Sequence, residues 1–323
     1  MKYFESLHLL RMSYIFALVL CFTSSPASSN SFPKNPQIGQ FFGVQVKHWR
    51  TSDEELKAIK ETGFEYVRID MNWEYVEKGL KDYDWSAYDE FFPRLEAHGL
   101  GAIVILKGGN IAYSDPVPVD PKTHWGATER PPAPNTETAV LAFSEFAANA
   151  SERYKNKKII WEIWNEPDWF FWIPEPDSAS YARLASEVCS SIKEKNSEAL
   201  VVGPGLAKLP GDPQKYRYRT EFIKAFLQSP AIECIDAISL HPYRGNDSVP
   251  ESVIQDYKEV RGYIQGNIKQ GVEIPAIISS EWGYTLTNVT QEQQEAYVLR
   301  THLSNLLANV PMSILYEWKD SHN

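Results

Sequence analysis

Cysteine is scarce in this sequence, three in 323 residues, so the fold cannot be a small scaffold stapled by many disulfides. Long apolar runs are missing too. The best candidate, Met12 to Phe22, has about 11 residues, too few to span a bilayer. Massed positive charge is absent: 32 Lys and Arg are dispersed against 42 Asp and Glu. The net charge of −10 and a pI near 5.3 argue against nucleic acid or an anionic membrane surface as partner. No group of His, Cys and Asp has metal-ligand spacing, and no G-x-S-x-G elbow appears, so metal and serine hydrolysis are poor readings. No complete Gly-rich fingerprint follows a strand; "GPGLAK" from Gly203 resembles a phosphate loop only loosely. The sequence calls for no cofactor.

The N-terminus reads as a targeting segment. Lys2 and Arg11 precede the apolar run, and "SSPASS" follows with small residues suited to cleavage after Ala27. Residues 1–27 are therefore expected to be a signal peptide, leaving 28–323 as the folded, exported chain; a retained anchor is the alternative. Cys21 is a poor lipoprotein site because Leu20 precedes it. Export permits a disulfide between Cys189 and Cys234, but sequence gives no reason to pair them, and the expectation is two free, buried thiols. Asn149, Asn246 and Asn288 stand in glycosylation sequons.

What is abundant is aromatic surface: 10 Trp, 17 Tyr and 15 Phe, more rings than a core needs. Trp stacks on flat apolar faces while its N–H finds a polar partner, and sugars present such faces, as do other ligands. The densest stretch is Trp161 to Trp172, "WEIWNEPDWFFW".

After Pro36 an apolar β-rich run alternates with a longer amphipathic stretch, the pattern of parallel strands joined by crossover helices. Eight runs are visible: "FFGVQV", "YVRIDM", "GAIVIL", "IIWEIW", "ALVVG", "IDAISL", "PAIIS" and "MSILYEW". Thr51-x-x-Glu54 and Thr290-x-x-Gln293 fit helix capping boxes, and Tyr181, Leu184, Ala185, Val188 and Ile192 form one buried helical face. Eight strands in one chain predict a (β/α)₈ TIM barrel, with an open doubly wound sheet as the alternative. After the eighth run only "KDSHN" remains, so the barrel is expected to lack its eighth helix, with the outer faces of strands eight and one partly uncovered.

In such a barrel the C-terminal strand ends share one mouth. Glu166 ends the fourth run and Glu281 the seventh. Two carboxylates among aromatics are the equipment for glycosidic cleavage: one holds a proton for the leaving oxygen, the other attacks or activates water. The competing explanation for Glu166 is a cap on the next helix or a pair with an Arg on the rim, and for Glu281 a surface ion pair. Asn165 can both donate to and accept from a sugar hydroxyl. Arg68 can hold a carboxylate ionised or serve a structural salt bridge. His241 and Tyr243 offer donors on the same rim. Trp318 fits a stacking floor; Trp169 and Trp172 either extend it or pack as a lid. Glu162 and Asp70 are expected to pair structurally inside the barrel.

"WNEP", "HPY" and "SEWG" at the ends of runs four, six and seven together resemble the retaining glycoside hydrolases of clan A. "YDWSAYDEFF", "EIWNEPD", "VVGPG" and "YEWKD" look closest to family 39, with family 5 cellulases and mannanases as near competitors. The resemblance implies double displacement: Glu166 as acid then base, and Glu281 as nucleophile. It further implies that Asn165 binds the 2-hydroxyl, that Arg68 and Tyr243 orient Glu281, that His241 lines the same subsite, and that Trp318 floors it. The substrate would be a poly- or oligosaccharide. Rival readings are a catalytically weak carbohydrate-binding homologue and a transglycosylase on the same machinery. The resemblance also carries a departure, since family members normally continue into a closing helix and often a small β domain.

Overall fold

The computed structural model describes residue 32 and residues 41–207, 213–244 and 248–319, with residues 213–219 described by backbone alone. The expected leader over residues 1–27 and the sequon at Asn246 lie outside the described residues.

The eight apolar runs form eight parallel strands: β1 (Phe42–Gln45), β2 (Tyr66–Asn72), β3 (Gly101–Lys107), β4 (Ile159–Ile163), β5 (Leu200–Leu206), β6 (Ala237–Leu240), β7 (Ala276–Trp282) and β8 (Ser313–Leu315). They follow one another around a closed barrel in chain order. Closure is made by β8 against β1, pairing Ser313 with Phe42, Ile314 with Gly43 and Leu315 with Val44. Between consecutive strands run α1 (Asp53–Glu61), α2 (Ser86–Ala97), α3 (Glu137–Arg153), α4 (Ser178–Lys195), α5 (Pro213–Leu227), α6 (Ser252–Asn267) and α7 (Gln291–Leu307). The architecture is a (β/α)₈ TIM barrel. Among the described residues no helix follows β8, and α7 leaves Leu299, Leu303 and Leu307 exposed on its surface.

Both faces of these strands are buried, which is why they read as continuous apolar runs, yet the period of two still sorts the residues. Val67 and Ile69 of β2, Val104 and Leu106 of β3, and Trp161 and Ile163 of β4 join the layer shared with the helices. Tyr66, Ile103, Ile160, Val202, Ile278 and Ile314 form a second cluster inside the barrel, to which Phe32 also belongs. One step of two further along β2 and β4, the inward positions are no longer apolar: they are Arg68 and Glu162, both fully buried. The barrel interior thus changes from hydrocarbon to ions within about 7 Å of strand.

Helix starts follow from side chains able to take orphan N–H groups. Thr290 and Gln293 form the capping box of α7. The box of α1 is shifted by one residue from the sequence expectation: Ser52 and Glu55 make it, because the Thr51 hydroxyl donates back to the Lys47 carbonyl at 2.8 Å. The cysteines also differ from expectation. Cys189, on the buried face of α4, meets Cys234, at the end of a short helix (Ala231–Cys234), with Cα atoms 6.1 Å apart, and the two form a disulfide.

Candidate active site

Arg68 organises the mouth of the barrel. Its side chain is 0% exposed, so each guanidinium N–H must find an acceptor. Nε donates to Glu162 Oε2 at 2.8 Å, Nη1 to Gln45 Oε1 at 2.7 Å and to Glu281 Oε2 at 2.5 Å, and Nη2 to Asn165 Oδ1 at 2.8 Å. One planar fork therefore fixes residues from β1, β4, β7 and the turn after β4, a task that suits guanidinium rather than ammonium. Gln45 and Glu162 complete this cluster. Glu162 is the structural partner its inward position leads one to expect, and Asp70 likewise pairs with Lys107 at 3.1 Å.

Glu281 lies at the end of β7 with both oxygens held. Arg68 takes Oε2, and the Tyr243 hydroxyl donates to Oε1 at 2.7 Å. Burial pushes the Glu281 pKa up, but the charges of His241 and Arg68 and the bonds from Tyr243 and Arg68 outweigh it, and the carboxyl is held below its ordinary range. Glu281 is thus kept ionised. The Tyr243 ring is half out of the protein, yet burial of its hydroxyl, then the Glu281 charge, raises its pKa well above the ordinary value, so it remains a donor.

Glu166 reaches the same space from the turn after β4. Trp164 and Glu166 both have left-handed backbones, φ 70° and 49°, a conformation that costs a non-glycine residue energy and is held only by its surroundings. The hold on Glu166 is visible: its peptide N–H donates to the Gly205 carbonyl at 2.9 Å. Asp168, two residues on, accepts from the Ala207 N–H at 2.9 Å and ties the turn to the end of β5. Gly205 has φ +60°, and a Cβ there would meet Glu162 Oε1 at 3.2 Å and His241 Nε2 at 3.4 Å.

His241 stands between the two glutamates. Nδ1 lies 2.8 Å from Glu166 Oε1, to which it donates its proton, and Nε2 faces Arg68 Nη2 at 3.4 Å. Burial lowers the His241 pKa, but the Glu281 charge and the bond to Glu166 more than reverse this, and the net direction is up. One ligand-type atom each of Glu166, His241 and Glu281 fall within 4.8 Å of one another. Although three such groups can bind a cation, here Glu281 already accepts from Arg68 and Tyr243 and the His241 nitrogens are engaged, so the charge is compensated by protein.

Asn165 gives its amide oxygen to Arg68, which aims the NH₂ group as the donor that remains. It lines a cavity with Lys107, Gly109, Ala133, Trp164 and Phe171. The sequence expectations for the Trp residues divide. Trp169 is 42% exposed beside this region. Trp172, by contrast, is 2% exposed, packed on Trp164 and Tyr181, and cannot extend a sugar floor. Trp318 donates its peptide N–H to the Gln45 carbonyl and lines a crevice with Val46, Lys47, Arg50 and Thr51. The aromatic after β8 that is tied to β7 is Tyr316, whose N–H donates to the Trp282 carbonyl at 2.6 Å and whose ring lies 5.5 Å from Lys47 Nζ. Tyr316, Gln45 and Asp168 went unread in the sequence; the first was visible only as one of the two rings in "LYEW".

The barrel has solved counterparts. It is similar to a family 39 glycoside hydrolase from the gut symbiont Bacteroides cellulosilyticus WH2, with a TM-score of 0.70 at 20% identity over 91% of this chain and 58% of that one. A family 39 β-xylosidase from Caulobacter crescentus superposes with a TM-score of 0.62 at 18% identity, covering 88% of this chain and 63% of its own. At these identities the likeness speaks for the fold. A β-amylase from Vigna unguiculata is 35% identical over 71 residues, 20% of this chain and 14% of that protein. The chain thus spans less than two thirds of these relatives' length. A family model describing the cellulases of glycosyl hydrolase family 5, the near competitor in the sequence reading, matches residues 28–320. That match runs through every strand of the barrel and every residue around Arg68, and by it the chain belongs to the cellulase family, glycosyl hydrolase family 5.

Proposed function

We propose that the protein is an exported retaining O-glycosidase that hydrolyses a poly- or oligosaccharide by double displacement. The observation that carries the reading is the unequal pair of glutamates at the barrel mouth. Oxygens of Glu166 and Glu281 come within 4.8 Å, which suits the separation of about 5–5.5 Å between carboxyl groups for direct attack rather than the wider gap that admits water.

The two environments supply the two roles. Glu281, ionised and held at both oxygens, attacks the anomeric carbon. The bond to the leaving oxygen breaks, its electron pair stays on that oxygen, and a proton from Glu166 neutralises it. Water then gives a proton to Glu166 and attacks the same carbon, and the ester to Glu281 breaks. The Asn165 NH₂ group binds the 2-hydroxyl, where a hydrogen bond strengthens as positive charge develops in the ring. His241 keeps Glu166 Oε1 engaged, leaving Oε2 to carry the proton.

The test is turnover of a panel of aryl β-glycosides and plant and bacterial polysaccharides, with Glu281→Ala and Glu166→Ala alongside. Glu281→Ala should be inactive while still binding glycan. Glu166→Ala should keep activity on good leaving groups, which need little protonation, and lose it on poor ones. Ordinary turnover by Glu281→Ala would remove it from the nucleophile role, and binding without any wild-type turnover would favour a carbohydrate-binding function. An added acceptor sugar that captures the glycosyl group in place of water would mark a transglycosylase.

A further inference from the structure

We propose that Glu162 is a positioning residue for the double displacement proposed above: as a second anion on Arg68 it divides the hold of that one cation, and so keeps Glu281 a reactive nucleophile. The inference rests on the reading of Glu281 as the nucleophile.

Geometry singles out Glu162 among the partners of Arg68. Of the four side chains whose oxygens accept from the guanidinium, two are neutral amides, Gln45 at Nη1 and Asn165 at Nη2. An amide therefore satisfies a guanidinium N–H in this setting, and anchoring alone does not require a carboxylate at Nε. Glu162 is nevertheless a carboxylate, fully buried and bound through Oε2 at 2.8 Å. Its Oε1 is buried with no hydrogen-bond partner among the described residues. A buried acidic side chain with an unsatisfied oxygen is costly, and such a group calls for an explanation beyond packing. Gly205 keeps room for that oxygen, since a Cβ there would stand 3.2 Å from it.

The charges supply the explanation. Arg68 carries one positive charge, which Glu281 alone would balance, yet the guanidinium has two carboxylates, one at Nε and one at Nη1. Like charges on one small cation disfavour each other's ionised form, so Glu162 offsets part of the pull of Arg68 on Glu281. A carboxylate held less firmly is the stronger base and gives its electrons more readily to the anomeric carbon. The negative charge left over also suits the positive charge that develops on the sugar ring. The other groups facing Glu281 are Tyr243 and His241 after β6, which both favour its carboxylate, and Glu166 after β4. Asp70, next inward along β2, is paired with Lys107.

The experiment titrates the Glu281 carboxyl itself, by carbon NMR of protein labelled at the glutamate side-chain carboxyls, with the signal assigned by its loss in Glu281→Gln. Three variants move the second anion around Arg68: Glu162→Gln removes it, Gln45→Glu adds one at Nη1, and the double variant relocates it. In Glu162→Gln the amide oxygen still accepts from Nε while Arg68 acts on Glu281 undivided. The Glu281 midpoint should then fall by about one pH unit, with the acid limb of kcat/KM following it and kcat lowered. Gln45→Glu should raise the midpoint by a similar amount, and the double variant should return it toward wild type. A Glu162 that only anchors Arg68 predicts otherwise, because a loosened guanidinium would raise the midpoint in Glu162→Gln and Gln45→Glu would not restore it. That pattern overturns the inference, and so does a midpoint that none of the variants moves. If Glu162→Gln does not fold, Gln45→Glu decides alone: a raised midpoint supports the inference and an unmoved one overturns it. The titration needs no turnover, so a wild type that cleaves no glycoside would sink the glycosidase reading while the sharing of Arg68 is still decided.

Discussion

Arg68 Nη1 stands 2.5 Å from Glu281 Oε2 while Nε of the same guanidinium stands 2.8 Å from Glu162 Oε2. One fully buried cation thus serves two carboxylates, one inside the barrel and one at its mouth. A change at Arg68 is therefore expected to touch both stability and the proposed chemistry.

Arg68→Lys makes the point separable from charge. An ammonium keeps the charge but cannot span Gln45, Glu162, Asn165 and Glu281 at once. Loss of these buried bonds should cost about 3 kcal/mol or more in urea unfolding and lower kcat/KM about 100-fold. A variant with wild-type stability and turnover would show that the fork is dispensable.

Tyr243→Phe should shift the acid limb of the kcat/KM profile to higher pH. In the proposed mechanism Glu281 attacks as the carboxylate, and its pKa is depressed in part by the Tyr243 hydroxyl. Without that donor the carboxyl protonates at higher pH, so activity is lost earlier as pH falls. An unmoved acid limb would separate the Tyr243 bond from nucleophile ionisation.

Acid should also act on stability, through His302. Its ring is 4% exposed, lies among Phe42, Phe64 and Trp282, and burial lowers its pKa to about 3. An unfolded His takes up a proton near pH 6.5, whereas this one stays neutral until about pH 3. Between those values the unfolded state holds the extra proton, so stability falls with pH, by about 1.4 kcal/mol per unit for this one group. His302→Leu should flatten that slope in denaturant titrations at several pH values; an unchanged slope would assign it elsewhere.

Replacing both Cys189 and Cys234 by Ser should lower stability without changing kcat. Their separation of 45 residues sets a loop-closure contribution of about 4 kcal/mol, and neither residue belongs to the mouth of the barrel. A matched loss of kcat would mean that the α4 contact also shapes the site.

The strands were legible because burial on both faces writes them as uninterrupted apolar runs, and the position of Glu166 and Glu281 at the mouth was legible because Glu281 ends one such run and Glu166 lies in the turn just after another. Packing was not. "DWFFW" gives no hint that Trp169 stays in solvent while Trp172 turns under Trp164 and Tyr181, since that depends on how the loop returns to the barrel. The Cys189–Cys234 pair was hidden for the same reason: a helix face and a short helical turn 45 residues apart carry no distance in sequence. Gln45 and Tyr316 sit at strand ends that resemble any other, and only the reach of Arg68 and the tie to Trp282 bring them to the mouth.

The central claim is that Glu281 forms a covalent glycosyl-enzyme. The direct measurement is incubation with a 2-deoxy-2-fluoro glycoside bearing a good leaving group, which slows breakdown of the intermediate, followed by peptide mapping by mass spectrometry. The account predicts one added sugar on the peptide holding Glu281 and none in Glu281→Ala; a label on another carboxylate, or turnover that inverts the anomeric centre with no label, would contradict it.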